Sequence, residues 1–207
     1  EGGKLLDVPS GNGRLSLPLA LLGYQICAVD YSQEYCDENI KRAQEYEVKI
    51  DCICDDMKAI CWKNEFDGAF CMGNSFGYFD RATSIQFLRA VSTSLKSGAV
   101  FILDTAMIAE AFLVNGGEKE WYKAGDMHML IENQYDCRES CVTTDYTFLQ
   151  GGKEDHHIAK HFIYTSGELC HMLESVGMEI LDMLETTDGE PFTLGADRLL
   201  LISKKRR

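Results

Sequence analysis

Short apolar runs alternate with amphipathic segments along the first half of the chain. The apolar runs lie at residues 5–7, 25–30, 48–54, 66–72 and 99–104. Apolar residues at helical spacing mark the segments between them at 15–22, 32–46 and 80–95. Strands that alternate with helices in this order predict a parallel sheet with right-handed crossovers. Ligands of such sheets gather outside the carboxyl ends of the strands.

The pattern changes at about residue 106. Strand-like runs joined by short turns follow at 127–137, 141–150 and 155–164. Alternation along the middle run, with Val142, Tyr146 and Phe148 on one face, is typical of a half-buried strand. A helix at 168–176 and two strands at 178–184 and 198–203 close the chain. We therefore expect one domain over residues 1–207 with an antiparallel β meander inserted at 106–164.

Helix boundaries are marked by capping residues. Ser32 is placed to cap the 32–46 helix, with Tyr35, Ile40 and Ala43 on its inner face. Asp80 is the expected cap of the 80–95 helix.

Composition narrows the class of protein and of partner. A chain of 207 residues with 45% hydrophobic content is long enough for one core. A net charge of −13 argues against nucleic acid as a partner, because phosphate contacts need clustered Lys and Arg. No apolar run reaches the roughly 18–20 residues of a membrane span, so no membrane partner is expected.

The two ends of the chain and its thiols carry further expectations. No secretory signal is recognisable, and the nine cysteines are an odd number that includes several inside apolar runs. Free thiols in a reducing cytoplasm are therefore expected. The first strand begins about three residues after Glu1, so we expect a preceding segment that this sequence lacks.

A glycine loop follows the first strand and carries the main chemical signal. Gly11 and Gly13 let the backbone turn sharply and approach a ligand closely. Asp7 ends the first strand, and Asp30 ends the second, where its carboxylate can take both hydroxyls of a ribose. A nucleoside-bearing cofactor is therefore expected. A nicotinamide enzyme usually has a third glycine three residues after Gly13, where this chain has Ser16.

The end of the third strand supplies a second cofactor signal. Asp56 can accept the exocyclic amine of adenine while the Met57 backbone reads the ring edge. An acidic surface turn is the alternative interpretation of the same residues.

Four strings in the chain resemble the class I S-adenosylmethionine-dependent methyltransferases. They are Leu-Leu-Asp-Val-Pro-Ser-Gly-Asn-Gly-Arg at 5–14, Val-Asp-Tyr-Ser at 29–32, Asp-Asp-Met at 55–57, and Phe-Asp-Gly-Ala-Phe-Cys-Met-Gly-Asn-Ser-Phe-Gly-Tyr at 66–78. The Gly-Asn-Ser-Phe core is similar to that of small-molecule members such as the glycine and sarcosine N-methyltransferases. The resemblance continues to the end of the chain, through Tyr164 to Leu169 and Arg198 to Ser203.

The resemblance implies a fold and a set of cofactor residues. The implied fold is a doubly wound, Rossmann-like α/β sheet of seven mostly parallel strands whose last strand runs antiparallel beside the fifth. The implied cofactor is S-adenosyl-L-methionine, bound by Asp7, Pro9, Ser10, Gly11, Gly13, Asp30, Tyr31, Asp56, Met57, Met72, Gly73 and Asn74. Pro9-Ser10 departs from the glycine or other small residues common in this loop.

The methyl acceptor is expected to be a small molecule, with nitrogen favoured over oxygen or carbon as the nucleophile. Asn74 is the catalytic candidate that orients an amine through its side-chain carbonyl, and Tyr78 contributes its hydroxyl. The substrate candidates are Phe76, Trp121, Tyr122 and Arg198. For Trp121 and Tyr122, packing inside the insertion is the alternative interpretation.

Other functions stay open at this point. Gly73 to Gly77 also match the Gly-x-Ser-x-Gly pattern of serine hydrolases, with Ser75 as nucleophile and Asp104 as the acid. The chain could also bind S-adenosylmethionine or S-adenosylhomocysteine without catalysis. No metal is expected, because the neighbouring His156 and His157 point to opposite faces of a strand. Exposed strand edges of the meander allow a homodimer through the inserted sheet.

Overall fold

The computed structural model describes residues 2–207, so Glu1 and the segment expected before it lie outside the described residues. The strands are β1 (Lys4–Asp7), β2 (Gln25–Asp30), β3 (Ile50–Cys54), β4 (Phe66–Cys71), β5 (Leu95–Thr105), β6 (Lys119–Ala124), β7 (Met127–Asp136), β8 (Cys141–Gln150), β9 (Lys153–Phe162), β10 (Met178–Leu184) and β11 (Leu199–Lys205). The helices are α1 (Ser16–Leu21), α2 (Gln33–Glu45), α3 (Arg81–Ser94), α4 (Ala109–Asn115) and α5 (Ser166–Ser175).

Seven strands form the main sheet in the order β10-β11-β5-β4-β1-β2-β3. The pairs from β5 through β4, β1 and β2 to β3 are parallel, whereas β11 runs antiparallel to both β5 and β10. This confirms the expected Rossmann-like α/β fold, with the closing strand antiparallel beside the fifth.

The strand register explains why distant acids meet. Asp7 at the end of β1 aligns with Ala28 of β2, and Asp30 at the end of β2 aligns with Cys54 of β3. Since these strands are parallel, their carboxyl ends lie along one edge of the sheet. That edge also carries the end of β4 and of β5, so loops from five strands surround the same space.

Helix caps follow the sequence. The Ser32 hydroxyl accepts from the Tyr35 N–H at the start of α2, and the Asp80 carboxylate caps α3 by accepting from Thr83. The inner face of α2 differs from the expectation, because Tyr35 and Ile40 are exposed and Asn39 is buried with Ala43. The polar Asn39 takes an inner position because it packs beneath the glycine loop.

The inserted segment forms a second, antiparallel sheet in the order β6-β7-β8-β9. Three of its strands match the expected meander, but β6 and the short helix α4 were not predicted. Strand β6 is almost entirely exposed, so it lacks the apolar alternation that marks a strand. Among residues 2–207, no helix is both long and apolar enough to cross a membrane.

Candidate functional site

A crevice of about 480 Å³ opens at the carboxyl ends of β1, β2 and β4. It is lined by Pro9, Gly11, Asp30, Tyr31, Tyr35, Asp56, Met57, Ser75, Tyr78 and Phe79. Six of these residues were expected to bind the cofactor, and Tyr78 was a catalytic candidate. Volume and position are typical of small-molecule sites in open α/β sheets.

Asp30 joins the glycine loop to the start of α2. One carboxylate oxygen accepts from the Gly11 N–H at 2.7 Å and the other from the Ser32 N–H at 2.9 Å. The side chain is only 8% exposed and lines the crevice. Asp30 therefore shapes the loop as well as presenting a carboxylate to a ligand.

The two glycines of the loop face different surroundings. Gly11 has a φ of 54°, and a Cβ built there would meet no atom within 4 Å. Gly13 has a φ of 78°, and its Cβ would lie 2.3 Å from Asn39 Oδ1. Gly11 thus leaves the crevice open for a ligand, whereas Gly13 allows close packing of the loop on α2.

Asp56 stands at the far wall of the crevice as the cap of a short 3-10 turn, Met57–Ala59. Its carboxylate accepts from the Lys58 N–H at 2.9 Å and lies 3.2 Å from the Lys58 ammonium. That ammonium lies 4.9 Å from the centre of the Phe79 ring. These contacts fix the acidic group beside an apolar wall, an arrangement suited to a nucleobase.

Asp7 lies beneath the loop and is 2% exposed. The Ser16 hydroxyl, at the position where a nicotinamide enzyme usually has glycine, donates to Asp7 Oδ2 at 2.6 Å. Burial raises the pKa of Asp7 to about 7, the Ser16 bond opposes that rise, and the Asp30 charge adds to it. This carboxyl is therefore close to half protonated at neutral pH.

A second cavity of about 40 Å³ adjoins the crevice through Pro9. It is lined by Asp7, Pro9, Ser10, Arg14, Leu15 and Met72. The Arg14 guanidinium reaches from the glycine loop towards β4, where its Nη2 would lie 3.6 Å from a Cβ on Gly73. Three more expected cofactor residues, Asp7, Ser10 and Met72, thus lie beside the crevice, together with a cation that the expectation missed.

The loop after β4 is tied to β5 and β11 through Asp104. The Gly73 N–H donates to Asp104 Oδ2 at 2.9 Å. Arg198 binds the same carboxylate in a bidentate pair, with Nε and Nη2 at 2.6 and 2.7 Å from its oxygens. Arg198 was a substrate candidate, but it does not line the crevice, and its guanidinium is committed to Asp104.

The Asn74 side chain makes contacts that the sequence did not predict. Its side-chain carbonyl oxygen already accepts from the Thr105 hydroxyl at 3.1 Å, the Ala106 N–H at 2.8 Å and the Met107 N–H at 3.1 Å. Three donors leave this oxygen no capacity for an amine. Asn74, whose φ is 64°, instead fixes the chain after β5 beside the crevice.

We expect Asn74→Ala to destabilise the fold by about 2–3 kcal/mol. The Ala106 N–H loses its acceptor, the Met107 N–H keeps only the Thr105 hydroxyl, and alanine is strained at positive φ. Turnover should fall more than cofactor affinity, since Asn74 lies outside the crevice wall. Asn74→Asp is the matched control, because a carboxylate can accept the same bonds. Urea unfolding of both variants checks this, and an alanine variant as stable as the parent would contradict it.

Tyr78 lines the crevice and is 48% exposed. Burial of its hydroxyl raises the pKa of Tyr78 above its usual value, so the phenol keeps its proton at neutral pH. Its ring packs on that of His161, with ring centres 4.8 Å apart. Tyr78 is the described crevice residue best placed to offer a hydroxyl at the end of β4.

The remaining substrate candidates lie away from the crevice wall. Phe76 is 3% exposed and packs in the core, with its ring 6.0 Å from that of Tyr164. Trp121 and Tyr122 are exposed neighbours on β6 of the second sheet, and their side chains point to opposite faces. The aromatic character of these residues gave no information on which surface each one lines.

Ser75 lines the crevice, but its contacts do not match those of a hydrolase nucleophile. Its hydroxyl donates to the Met72 carbonyl at 3.1 Å rather than to a histidine. Asp104, the expected acid, is occupied by Gly73 and Arg198. The geometry therefore lacks the nucleophile–base–acid chain on which such an enzyme depends.

Two crevice residues, Tyr35 and Phe79, were missed because no motif marks them. Tyr35 faces the crevice from the first turn of α2, and Phe79 follows Tyr78 in the loop. The Tyr164 hydroxyl anchors that loop by donating to the Phe79 carbonyl at 2.9 Å. Arg14, which lines the adjoining cavity, could have been predicted from its position directly after the second glycine of the loop.

The charges in the crevice indicate what kind of ligand it suits. Asp30 and Asp56 are its charged lining residues. Lys58 pairs with Asp56 from outside the lining, so Asp30 is the lining carboxylate without a cationic partner among the described residues. A nucleoside with a net positive charge suits these carboxylates, whereas the pyrophosphate of a dinucleotide would meet repulsion. The open space at Gly11 leaves room for such a ligand.

Comparisons with known proteins show which proteins this chain is similar to. Residues 5–98 match the family model of a methyltransferase domain. The cypemycin N-terminal methyltransferase of a Streptomyces species is 23% identical over 209 residues, covering 100% of this chain and 84% of that protein.

Two solved structures share the fold. An S-adenosylmethionine-dependent methyltransferase from Clostridium acetobutylicum ATCC 824 superposes with a TM-score of 0.87 at 23% identity, over 99% of this chain and 84% of that one. The amino pentose methyltransferase CalS10 from Micromonospora echinaspora, solved with bound S-adenosylmethionine, gives 0.76 at 14% identity, over 99% and 84% of the two chains.

Proposed function

We propose that this chain is an S-adenosylmethionine-dependent methyltransferase of class I and that it transfers the methyl group to the nitrogen of a small-molecule amine. The observation that carries the proposal is the acid-lined crevice beside a loop with one free hydroxyl, that of Tyr78. The names of the relatives support nitrogen, since one is called a cypemycin N-terminal methyltransferase and another an amino pentose methyltransferase. The finer likeness to glycine and sarcosine N-methyltransferases stays a prediction.

We assign different residues of the crevice to different parts of the cofactor. We assign the ribose to Asp30, and the adenine to Asp56, Met57 and the rings of Tyr31 and Phe79. The methionine end is assigned to the small cavity, where Arg14 faces its carboxylate and Asp7 its ammonium. When bound, the cofactor supplies an electrophilic methyl group on a sulfonium.

The protein contributes placement and water exclusion. A neutral amine must lie in line with the sulfur–carbon bond, and most of the rate comes from holding it there. Asn74 and Asp104 fix the two chain segments that border the methyl side, at Thr105–Met107 and Gly73. Tyr78 supplies the hydrogen-bonding hydroxyl at that side, in place of the Asn74 carbonyl.

Charge and thiol chemistry support a small acceptor in a reducing compartment. With a net charge of −13, the chain repels nucleic acid and attracts cationic amines. The thiols of residues 2–207 are free in the structure, which suits the cytoplasm. The exposed edges of β6 and β9 support a homodimer through the second sheet as a further proposal.

Asp30→Ala should weaken S-adenosylmethionine binding by about 2–3 kcal/mol, or roughly 30- to 150-fold in Kd. The variant loses the carboxylate that faces the ribose and also the anchor of the Gly11 N–H. Asp51→Ala is the matched control, because it removes the same charge from an exposed pair with Lys49. Isothermal titration calorimetry measures both, and equal Kd values for the two variants would remove the ribose assignment.

Methyl-labelled S-adenosylmethionine tests the reaction itself. Label should pass to at least one amine among glucosamine, alanyl-glycine and sarcosine. A thermal shift with S-adenosylmethionine and S-adenosylhomocysteine but not NAD is expected as well. Cofactor binding without transfer to any amine would favour the non-catalytic binding module and contradict the proposed reaction.

A further inference from the structure

His161 lies directly behind Tyr78 and is the buried histidine that no assignment so far uses. It is the second-last residue of β9 and is 5% exposed. Its Nδ1 is buried and has no hydrogen-bond partner in the described part of the chain. Buried polar atoms are nearly always paired, so an unpaired ring nitrogen requires an explanation.

The position of this imidazole connects it to the crevice. Its ring centre lies 4.8 Å from that of Tyr78, at an interplanar angle of 40°. The next residue, Phe162, donates its N–H to the Gly77 carbonyl at 2.7 Å, which ties the end of β9 to the loop that carries Tyr78. The imidazole ring therefore packs against a side chain that lines the crevice and has a hydroxyl.

The two groups need one another to move a proton. Burial keeps the Tyr78 phenol protonated, so by itself it cannot take a proton from an amine. Burial also lowers the pKa of His161 below its usual 6.5, so the imidazole is neutral at pH 7 and can accept one. Tyr78 is the titratable side chain that packs on the ring, and on β8, the strand paired with β9, the titratable residues are Cys141, Asp145 and Tyr146. No charged side chain of the described residues bonds to the ring.

We propose that His161 is a positioning residue for Tyr78 that receives the phenol's proton while Tyr78 takes one from the methylated amine. The inference rests on the proposed amine acceptor. The two rings pack at a tilt of 40°. The hydrogen bond from the Tyr78 hydroxyl to His161 Nδ1 forms when S-adenosylmethionine or its demethylated product occupies the crevice. Such catalytic contacts often tighten only in the substrate complex.

The proton balance is complete without a further reactant. The neutral amine donates its lone pair to the methyl carbon while the electrons of the carbon–sulfur bond go to sulfur, which leaves an N-methylated ammonium. That ammonium passes one proton to the Tyr78 oxygen as the phenol proton moves to Nδ1. Tyr78 ends neutral, the methylated amine ends neutral, and the imidazolium later releases its proton to water.

His161→Phe tests this, because it keeps a ring against Tyr78 and removes both nitrogens. Using whichever of glucosamine, alanyl-glycine or sarcosine is methylated, we expect kcat to fall about 100-fold while the Kd of S-adenosylmethionine stays within twofold. In the parent, kcat should fall as the pH drops through the imidazole pKa below 6.5, and the variant should lack this dependence. Tyr78→Phe should lower kcat by the same factor as His161→Phe. The double variant should have a kcat no lower than that of either single variant.

The control is His157→Phe, an exposed position on the same strand, which should keep the parent kcat. A His161→Phe protein with the parent kcat and the parent pH profile, altered only in stability, would show a packing role and overturn the proposal.

An acceptor-independent measurement separates this inference from the proposed function. Nitrogen NMR of the full chain saturated with S-adenosylhomocysteine should show His161 Nδ1 without a proton. Its resonance should move when Tyr78→Phe removes the hydroxyl. A protonated Nδ1 would overturn the inference even if an amine is methylated. So would an Nδ1 resonance that has the same chemical shift in the parent and in Tyr78→Phe. The expected NMR result without methylation of any amine would instead count against the proposed reaction.

Discussion

At pH 8, Asp7→Asn should unfold with a free energy about 2–4 kcal/mol larger than that of the parent. The parent carboxyl has a pKa of about 7 in the folded chain and 3.8 as its reference value. Between these values the folded state holds a proton that the unfolded state has lost, so stability falls as the pH rises from about 4 to 7. Asparagine carries no such cost and keeps an oxygen for the Ser16 hydroxyl.

Urea unfolding at pH 5 and pH 8 measures this, and the gap between variant and parent should widen at the higher pH. Asp67→Asn is the control with the opposite sign, because bonds from the Lys96 ammonium and the Lys4 N–H lower the pKa of Asp67. The difference in unfolding free energy between Asp67→Asn and the parent should not grow between pH 5 and pH 8. A constant gap for Asp7→Asn would mean that Asp7 is not buried as the structure shows.

Calorimetry should show the opposite effect of Asp7→Asn on ligand binding. S-adenosylmethionine carries positive charges, and an ionised Asp7 beside its methionine end favours them. We therefore expect Asp7→Asn to be more stable than the parent and to bind the cofactor more weakly, which is a trade-off between stability and function.

Gly13→Ala should cost about 2–4 kcal/mol of stability and most of the cofactor affinity. Alanine at a φ of 78° is strained, and its Cβ would lie 2.3 Å from Asn39 Oδ1, so the loop or α2 must move. Gly98→Ala is a close control, because Gly98 has the same φ and open space around the added Cβ. Denaturation of the pair therefore isolates the contact with Asn39 from backbone strain.

A double variant then tests the cause. Asn39→Ala should restore part of the stability that Gly13→Ala loses, since it removes the atoms that the new Cβ meets. The predicted packing is wrong if Gly13→Ala costs no more than Gly98→Ala. It is also wrong if removing the Asn39 side chain brings no recovery.

The sequence was most informative where function depends on strand ends. Parallel strands bring their carboxyl ends to one edge, so placing Asp7, Asp30 and Asp56 at strand ends was enough to predict that they converge. Capping residues fixed the starts of α2 and α3 for an equally local reason. These features depend on neighbours in the chain or on the rule for parallel strands.

Features that depend on long-range packing could not be predicted in this way. The Asn74 carbonyl is occupied by N–H groups about thirty residues further along, and no local pattern marks such a contact. The inner position of Asn39 depends on its packing against Gly13. His161 is one of several histidines on its strand, and only the fold places it behind Tyr78.

The order of strands in the main sheet has a consequence for biosynthesis. Strand β11 separates β5 from β10, although both precede it in the chain, and Arg198 comes immediately before it. During synthesis, β10 and β5 can therefore join the same sheet only after residues 199–205 have left the ribosome. The bidentate pair of Arg198 with Asp104 forms no earlier, so the loop held through the Gly73 N–H gains its full support late in synthesis.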